Sequence, residues 1–438
     1  MAQDGKIGLF LATMLVASNM VGSGIFLLPA TLAGFGSMTT LGWIAAAAGA
    51  LIIGRVLGRL GRYAPEPGGA CAYAAIALGP FVGFQATSLY WVACWSGNLA
   101  IAVAAIGYLG EFVPALKAPM PLALGAVALI WLLTALNLLG PRRVCQLESA
   151  TMFAGLIPIA VVALGGWWYF QPHIFAAAWN VSGQPAYVAL PRSLVLMFWG
   201  FAGVESASIA TAVVEDPARN VARATTYGVA LAAVIYIAAC GVIMGLIPAA
   251  ALARSTAPFA DAVRLMLGPA AAALVALMAL VKAVGTLAGW ILLTAETGQA
   301  GARRGLFPAF FARLDARGRP RANLLLMAVI MSAGVLATVS PTLGQQFGEL
   351  IAVSVLLAML LYIYALLAVW HYARLAPGAF RHDRGFAAAG IVFCAGVILL
   401  SGVTMIAVTA GIVLLSCVCY PFRRGARAAY IPGGSDVV

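Results

Sequence analysis

Two glycine-rich interruptions are the places in this sequence where the backbone itself could do chemistry. Gly22-Ser23-Gly24 falls in the middle of one long apolar stretch, with Pro29 soon after, and Gly200-Phe201-Ala202-Gly203 falls in the middle of another. Glycine inside a helix costs about 1 kcal/mol relative to alanine and lets the backbone unwind. A broken helix exposes free N–H groups at the start of one half, where the partial positive charge suits a carboxylate, so Ser23 and Gly24 are candidates to hold an anionic group. The other half exposes carbonyls, and the stretch from Trp199 to Gly203 could offer them to an ammonium. An α-amino acid presents both groups together.

Three side chains near these breaks carry further chemistry. Glu205 lies two residues beyond the second break inside an apolar segment, and an ionisable residue there is a functional candidate by default. It fits either a proton-sensing or gating role or a neutral, hydrogen-bonded structural one. Trp290, preceded by Gly285 and Gly289, offers an indole face that attracts a guanidinium or ammonium by roughly 0.5–2 kcal/mol; packing is the other use of such a tryptophan. Asn98, beside Ser96 and Gly97, is an amide that must find a partner in lipid, whether a substrate or a neighbouring helix. No phosphate loop, HExxH, GxSxG or metal cluster is present, and His173, His371 and His382 are far apart near segment edges. An enzyme, a resident metal and a cofactor are therefore not expected.

The elements that must position these residues are membrane helices. Of the 438 residues, 63% are hydrophobic and 9% charged, against roughly 25% charged in soluble domains. Apolar segments long enough to cross a bilayer, which takes roughly 17–25 residues, follow one another over 7–34, 39–62, 80–113, 121–139, 147–169, 189–212, 223–247, 266–299, 322–340, 346–373, 385–401 and 404–421. The net charge of +12 does not call for nucleic acid. Arg142 and Arg143, Arg219 and Arg223, Arg303, Arg304 and Arg313, and Arg374, Arg381 and Arg384 fall in alternate connections, the pattern that places both termini in the cytoplasm. The 300–321 connection adds Phe307, Phe310 and Phe311 and fits an amphipathic helix on the inner leaflet or a basic loop. The breaks are first and sixth in span order, as equivalent elements of two inverted five-helix repeats would be, and such pairing points to a transporter's binding site. The seven cysteines are odd in number and include no CxxC, so no disulfide framework is expected.

Asn19 to Pro29, Pro67-Gly68-Gly69, Tyr90 to Asn98, Gly203 to Ser208, Ala177 to Gly183, Asp216 to Val221, Gly289-Trp290 and Gly305 to Pro308 resemble the bacterial arginine/agmatine antiporters of the amino acid, polyamine and organocation superfamily. The resemblance implies an all-α membrane protein of twelve transmembrane helices: two inverted five-helix repeats, about 7–169 and 189–373, with helices one and six broken, plus two extra helices, about 385–421. It is one transporter domain over 1–438 and commonly a homodimer. It also implies that Ser23 and Gly24 bind the substrate carboxylate, with Met20, Trp199 and Ser206 around the amino end. Trp290 would stack on the guanidinium, Ala93, Cys94, Asn98 and Ser354 would meet its nitrogens, Tyr90 and Trp199 would be gating aromatics, and Glu205 would respond to protons.

Three positions depart from that pattern. Cys71 stands where a gating tyrosine is usual, Lys282 where a small residue is usual, and Glu296 where a glutamine is usual. Lys282 would repel a dication near the pathway or stand in for a coupling ion; facing a neighbouring helix, it would mean little. The function expected is exchange of arginine for agmatine across the inner membrane in acid resistance, with lipid and small molecules as the partners. The alternative is an exchanger or proton-coupled carrier for other cationic or neutral amino acids or polyamines.

Overall fold

The computed structural model describes residues 8–21, 23–63, 69–204, 214–315, 319–376 and 378–422. These residues are almost wholly helical. In chain order the helices are α1 (Leu9–Met20), α2 (Leu28–Leu32), α3 (Thr39–Tyr63), α4 (Gly69–Leu78), α5 (Pro80–Leu109), α6 (Pro119–Asn137), α7 (Pro141–Ala160), α8 (Pro172–Ala177) and α9 (Ala186–Phe198). They continue with α10 (Pro217–Leu246), α11 (Ala249–Leu252), α12 (Pro258–Leu267), α13 (Pro269–Arg303), α14 (Arg321–Ala337), α15 (Leu343–Leu375), α16 (Asp383–Leu400) and α17 (Val403–Cys419).

Eight of these helical segments are long and apolar enough to cross a bilayer, among them α3, α5, α13 and α15. Two more, α14 and α17, have 17 residues each, at the short end of what a bilayer accepts. Elements one and six complete the set, each interrupted where the glycines stand. Between α1 and α2 the chain makes a single 3-10 turn, Ser23–Phe26. After α9 it makes another, Trp199–Phe201, and turns out of the helix through Gly203 at φ +98°, a conformation that disfavours any residue with a Cβ. Prolines open many of the helices, where the missing N–H costs nothing.

Several boundaries differ from the sequence expectation. The fifth span begins at Pro141 rather than 147, so Glu148 lies two turns inside the helix. The α4 helix was not expected; it precedes α5 and packs against α5 and α15. The 300–321 connection holds a four-residue 3-10 turn, Ala309–Ala312, and Phe307 and Phe311 are buried against Phe84 and Trp91. Its aromatics thus anchor the loop to the protein, and the described part of it is a basic loop rather than a helix lying on lipid. Trp168 and Tyr187 are 84% and 80% exposed, as suits an interfacial aromatic belt.

The two 3-10 turns touch each other at the centre of the bundle. The first is also packed against α5 and α13, and the second against α10 and α15. These four helices enclose the breaks and supply the side chains around them.

Candidate functional site around the two broken helices

The breaks are tied together by one buried hydroxyl. The Tyr236 side chain of α10 is fully buried, and its O–H lies 2.7 Å from both the Met20 carbonyl and the Gly200 carbonyl. Those are acceptors released by the unwinding of elements one and six. A buried carbonyl without a donor costs about 1–3 kcal/mol, so a tyrosine here stabilises the unwound geometry on both sides. The Tyr108 hydroxyl does the same for the Phe26 carbonyl, at 2.8 Å. Sequence reading missed Tyr236; its signal was a phenol alone in the middle of an apolar span, which must find a partner in lipid.

Trp199, 8% exposed, closes the space between the first break and α5. A Cβ built on Gly24 would be 2.8 Å from its Cδ1, and one on Gly97 would be 2.7 Å from its Cη2. The indole therefore spans from one bare backbone to the other, and neither position has room for a side chain. Ser354 joins this group from α15: its hydroxyl donates to the Ala93 carbonyl at 2.7 Å, and Ser96 donates to the same carbonyl at 3.0 Å. Met20, Ala93, Cys94 and Ser354 are all buried.

The opposite wall is α13. The Thr294 hydroxyl donates to the Trp290 carbonyl at 2.6 Å and accepts from Asn98 Nδ2 at 3.1 Å. Asn98 is fully buried with its Oδ1 left without a donor. A buried acceptor in that state suits an incoming ammonium or guanidinium. Trp290 itself is half-buried.

A cavity of about 610 Å3 opens at the end of the bundle opposite the 300–321 connection. Its lining includes Ala30, Val195, Leu196 and Ala352, with Arg192, Arg254 and Glu349 among its charged residues. Val195 and Leu196 lie about one turn before Trp199 on element six, and Ala352 lies on α15 with Ser354, so the cavity opens on helices that also carry the Trp199 cluster.

The structure thus brings Gly24, Met20, Ala93, Asn98, Trp199, Ser354 and the Trp290 backbone into one region. The Cys71 thiol is held against α5, 3.8 Å from the Ala86 carbonyl, and Tyr90 is half-buried on α5 one turn before Ala93. Glu296 is exposed about 9 Å further along α13 than Trp290, at 1.5 Å per residue. Lys282 packs its stem against Gly155 of α7: it faces the neighbouring helix, yet remains 7% exposed and does not snorkel to a membrane surface. Glu205, Ser206 and Gly22 lie outside the described residues, as does the side chain of Ser23. Among the described residues no group of His, Cys, Asp and Glu could hold a metal ion.

Comparison with known proteins gives this architecture its family. The model of the family described as amino acid permease matches residues 7–418. A cadaverine/lysine antiporter of Escherichia coli (strain K12) is 40% identical over 370 residues, 83% of this chain and 83% of the relative. The putrescine transporter PotE of the same strain is 33% identical over 368 residues, 84% of each chain. PotE of Haemophilus influenzae is 32% identical, covering 84% of this chain and 85% of its own. With a bundle of apolar helices, two of them broken at its centre, and this match along nearly its whole length, the chain is a multi-pass membrane transporter that belongs to the amino acid permease family.

Proposed function

We propose that the protein exchanges a basic amino acid for its decarboxylated amine by alternating access, in the inner membrane of a bacterium, as a homodimer with both termini in the cytoplasm. The observation that carries this reading is the two-ended site. Bare backbone at Gly24, in the 3-10 turn that leads into the second half of the first helix, suits a carboxylate. On the far side, the unpartnered Asn98 Oδ1 beside Thr294 and Trp290 suits a cation. A basic amino acid has both ends, and its amine product has the second.

Two substrate pairs fit. Trp290 with Asn98 and Ser354 supports arginine and agmatine, since a planar guanidinium stacks on an indole and offers several donors. The 40% identity to a cadaverine/lysine antiporter supports lysine and cadaverine. In either case a monocation enters and a dication leaves, so each cycle exports one positive charge, which serves survival in acid.

The test is uptake of labelled lysine and labelled arginine into proteoliposomes preloaded with cadaverine, agmatine, neutral amino acids or buffer, at pH 5 and pH 7. Uptake that requires an internal basic amino acid or amine supports exchange, and the pair giving the fastest exchange identifies the substrates. Equal uptake into empty vesicles, or exchange of neutral amino acids alone, overturns the proposal.

A further inference from the structure

The contact between α7 and α13 is among the most extensive in the molecule, and it carries two opposite charges that the site above does not use. On α13, Lys282, Gly285 and Gly289 recur at intervals of three and four, so they share one face. On α7, Glu148, Thr151 and Gly155 do the same. The two faces run antiparallel and interlock. A Cβ on Gly155 would be 2.5 Å from Lys282 Cγ, one on Gly285 would be 2.8 Å from Thr151 Cβ, and one on Gly289 would be 2.7 Å from Glu148 Oε2. Each glycine is a notch that admits one large side chain of the opposite helix.

Glu148 and Lys282 thereby sit in one seam and interact electrostatically, but no ion pair within 4.0 Å joins them among the described residues. Lys282 is buried and Glu148 half-buried, so neither charge is fully solvated, and these two compensate each other only at a distance. The seam also adjoins the cation end of the site. Glu148 lies against Gly289, the residue before Trp290, and the neighbouring Thr286 has a buried hydroxyl with no partner. Lys282 is eight residues from Trp290, about 12 Å along the helix. Across that distance, at an effective dielectric constant of about 20, a unit charge alters the standing of a cation by about tenfold.

We propose that Glu148 and Lys282 together form a charge filter beside the pathway: Glu148 favours and Lys282 disfavours substrates with an additional positive charge, and their balance sets how well a dication competes with a monocation. This rests on the exchange reading above and adds two selectivity residues to it.

The test uses the full-length protein in proteoliposomes and compares kcat/KM for cadaverine with that for lysine, and for agmatine with that for arginine. Lys282→Met, which keeps the stem in the Gly155 notch, is expected to raise the dication-to-monocation ratio about tenfold. Glu148→Gln is expected to lower it about tenfold, and the double variant to return near the wild-type ratio. Where a variant does not transport, the rise in Tm on adding cadaverine or lysine to the purified protein reads the same ratio as binding. A ratio unmoved by Lys282→Met, or moved in the same direction by both substitutions, overturns the filter. Failure of the wild-type protein to exchange any basic amino acid or amine instead overturns the exchange reading, so the two failures are distinct.

Discussion

The indole of Trp199 lies across the bare backbone of Gly24, with Cδ1 2.8 Å from where a Cβ would be, while its other edge meets Gly97 at 2.7 Å. Distances under about 3 Å are not open to real Cβ atoms, so a methyl group at either position must push the indole aside. Because Trp199 fills the space between the first break and α5, its displacement changes what the region around the breaks can enclose. Gly97→Ala is expected to lower exchange at least tenfold with little change in the amount of folded protein, and Trp199→Ala in the same background to recover part of it. Initial rates in proteoliposomes check this; independent, additive losses would show that the contact is not what couples the two positions.

Tyr236 makes a different prediction, because it serves both breaks with one hydroxyl. Tyr236→Phe keeps the ring contacts with Trp43 and Phe201 and removes only the O–H. Two buried carbonyls then lose the one proton they share, at about 1–3 kcal/mol in all if neither finds another donor. Thermal unfolding in detergent is expected to show a Tm lower by several degrees. An unchanged Tm would mean that water or a shifted backbone satisfies both carbonyls equally well.

The proposed cation end can be probed through Asn98. Asn98→Ala removes the free Oδ1 and also the Nδ2 donor to Thr294, whereas Asn98→Asp keeps an acceptor and adds a charge. If the amide oxygen receives the substrate cation, Asn98→Ala raises KM for the amine about tenfold, and Asn98→Asp lowers KM for it relative to Asn98→Ala. Equal KM values for the two variants would assign Asn98 to helix bridging alone.

The sequence made the breaks readable because unwinding in a bilayer needs glycine, and glycine in mid-span is conspicuous. Gly24, Asn98, Trp199 and Trp290 were legible for the same reason: a polar or aromatic group, or a missing side chain, stands out against an apolar background. Glu148 was not legible, since the span expected over 147–169 starts six residues after the helix does at Pro141, and nothing near it in sequence marks it out. Its meaning depends on Gly289 and Lys282, which lie more than 130 residues away and meet it only once two antiparallel helices interlock. Tyr236 was hidden likewise, because the carbonyls that need it belong to other elements. Nor could apolar periodicity reveal α4, which has no polar face: it is apolar throughout, and Gly69, Ala70, Cys71, Ala72, Tyr73 and Ala74 are all buried.

A last expectation concerns acid and the end of the bundle where the cavity opens. Glu111, just past the end of α5, accepts hydrogen bonds from Lys117 and from Arg264 of α12, each at 2.6 Å. Burial pushes the Glu111 carboxyl upward, but these two cations outweigh it and hold it below its ordinary value of 4.5. A carboxyl lowered in the folded state contributes stability above its unfolded pKa and loses it only as pH falls through the folded one. The clamp between α5 and α12 should therefore survive in a mildly acidic medium. Glu111→Gln is expected to lower Tm at pH 7 and by nearly the same amount at pH 5.5, with the difference from wild type shrinking below about pH 4.5. A difference that is already gone at pH 5.5 would mean that Glu111 is protonated there and that the two cations do not hold it down.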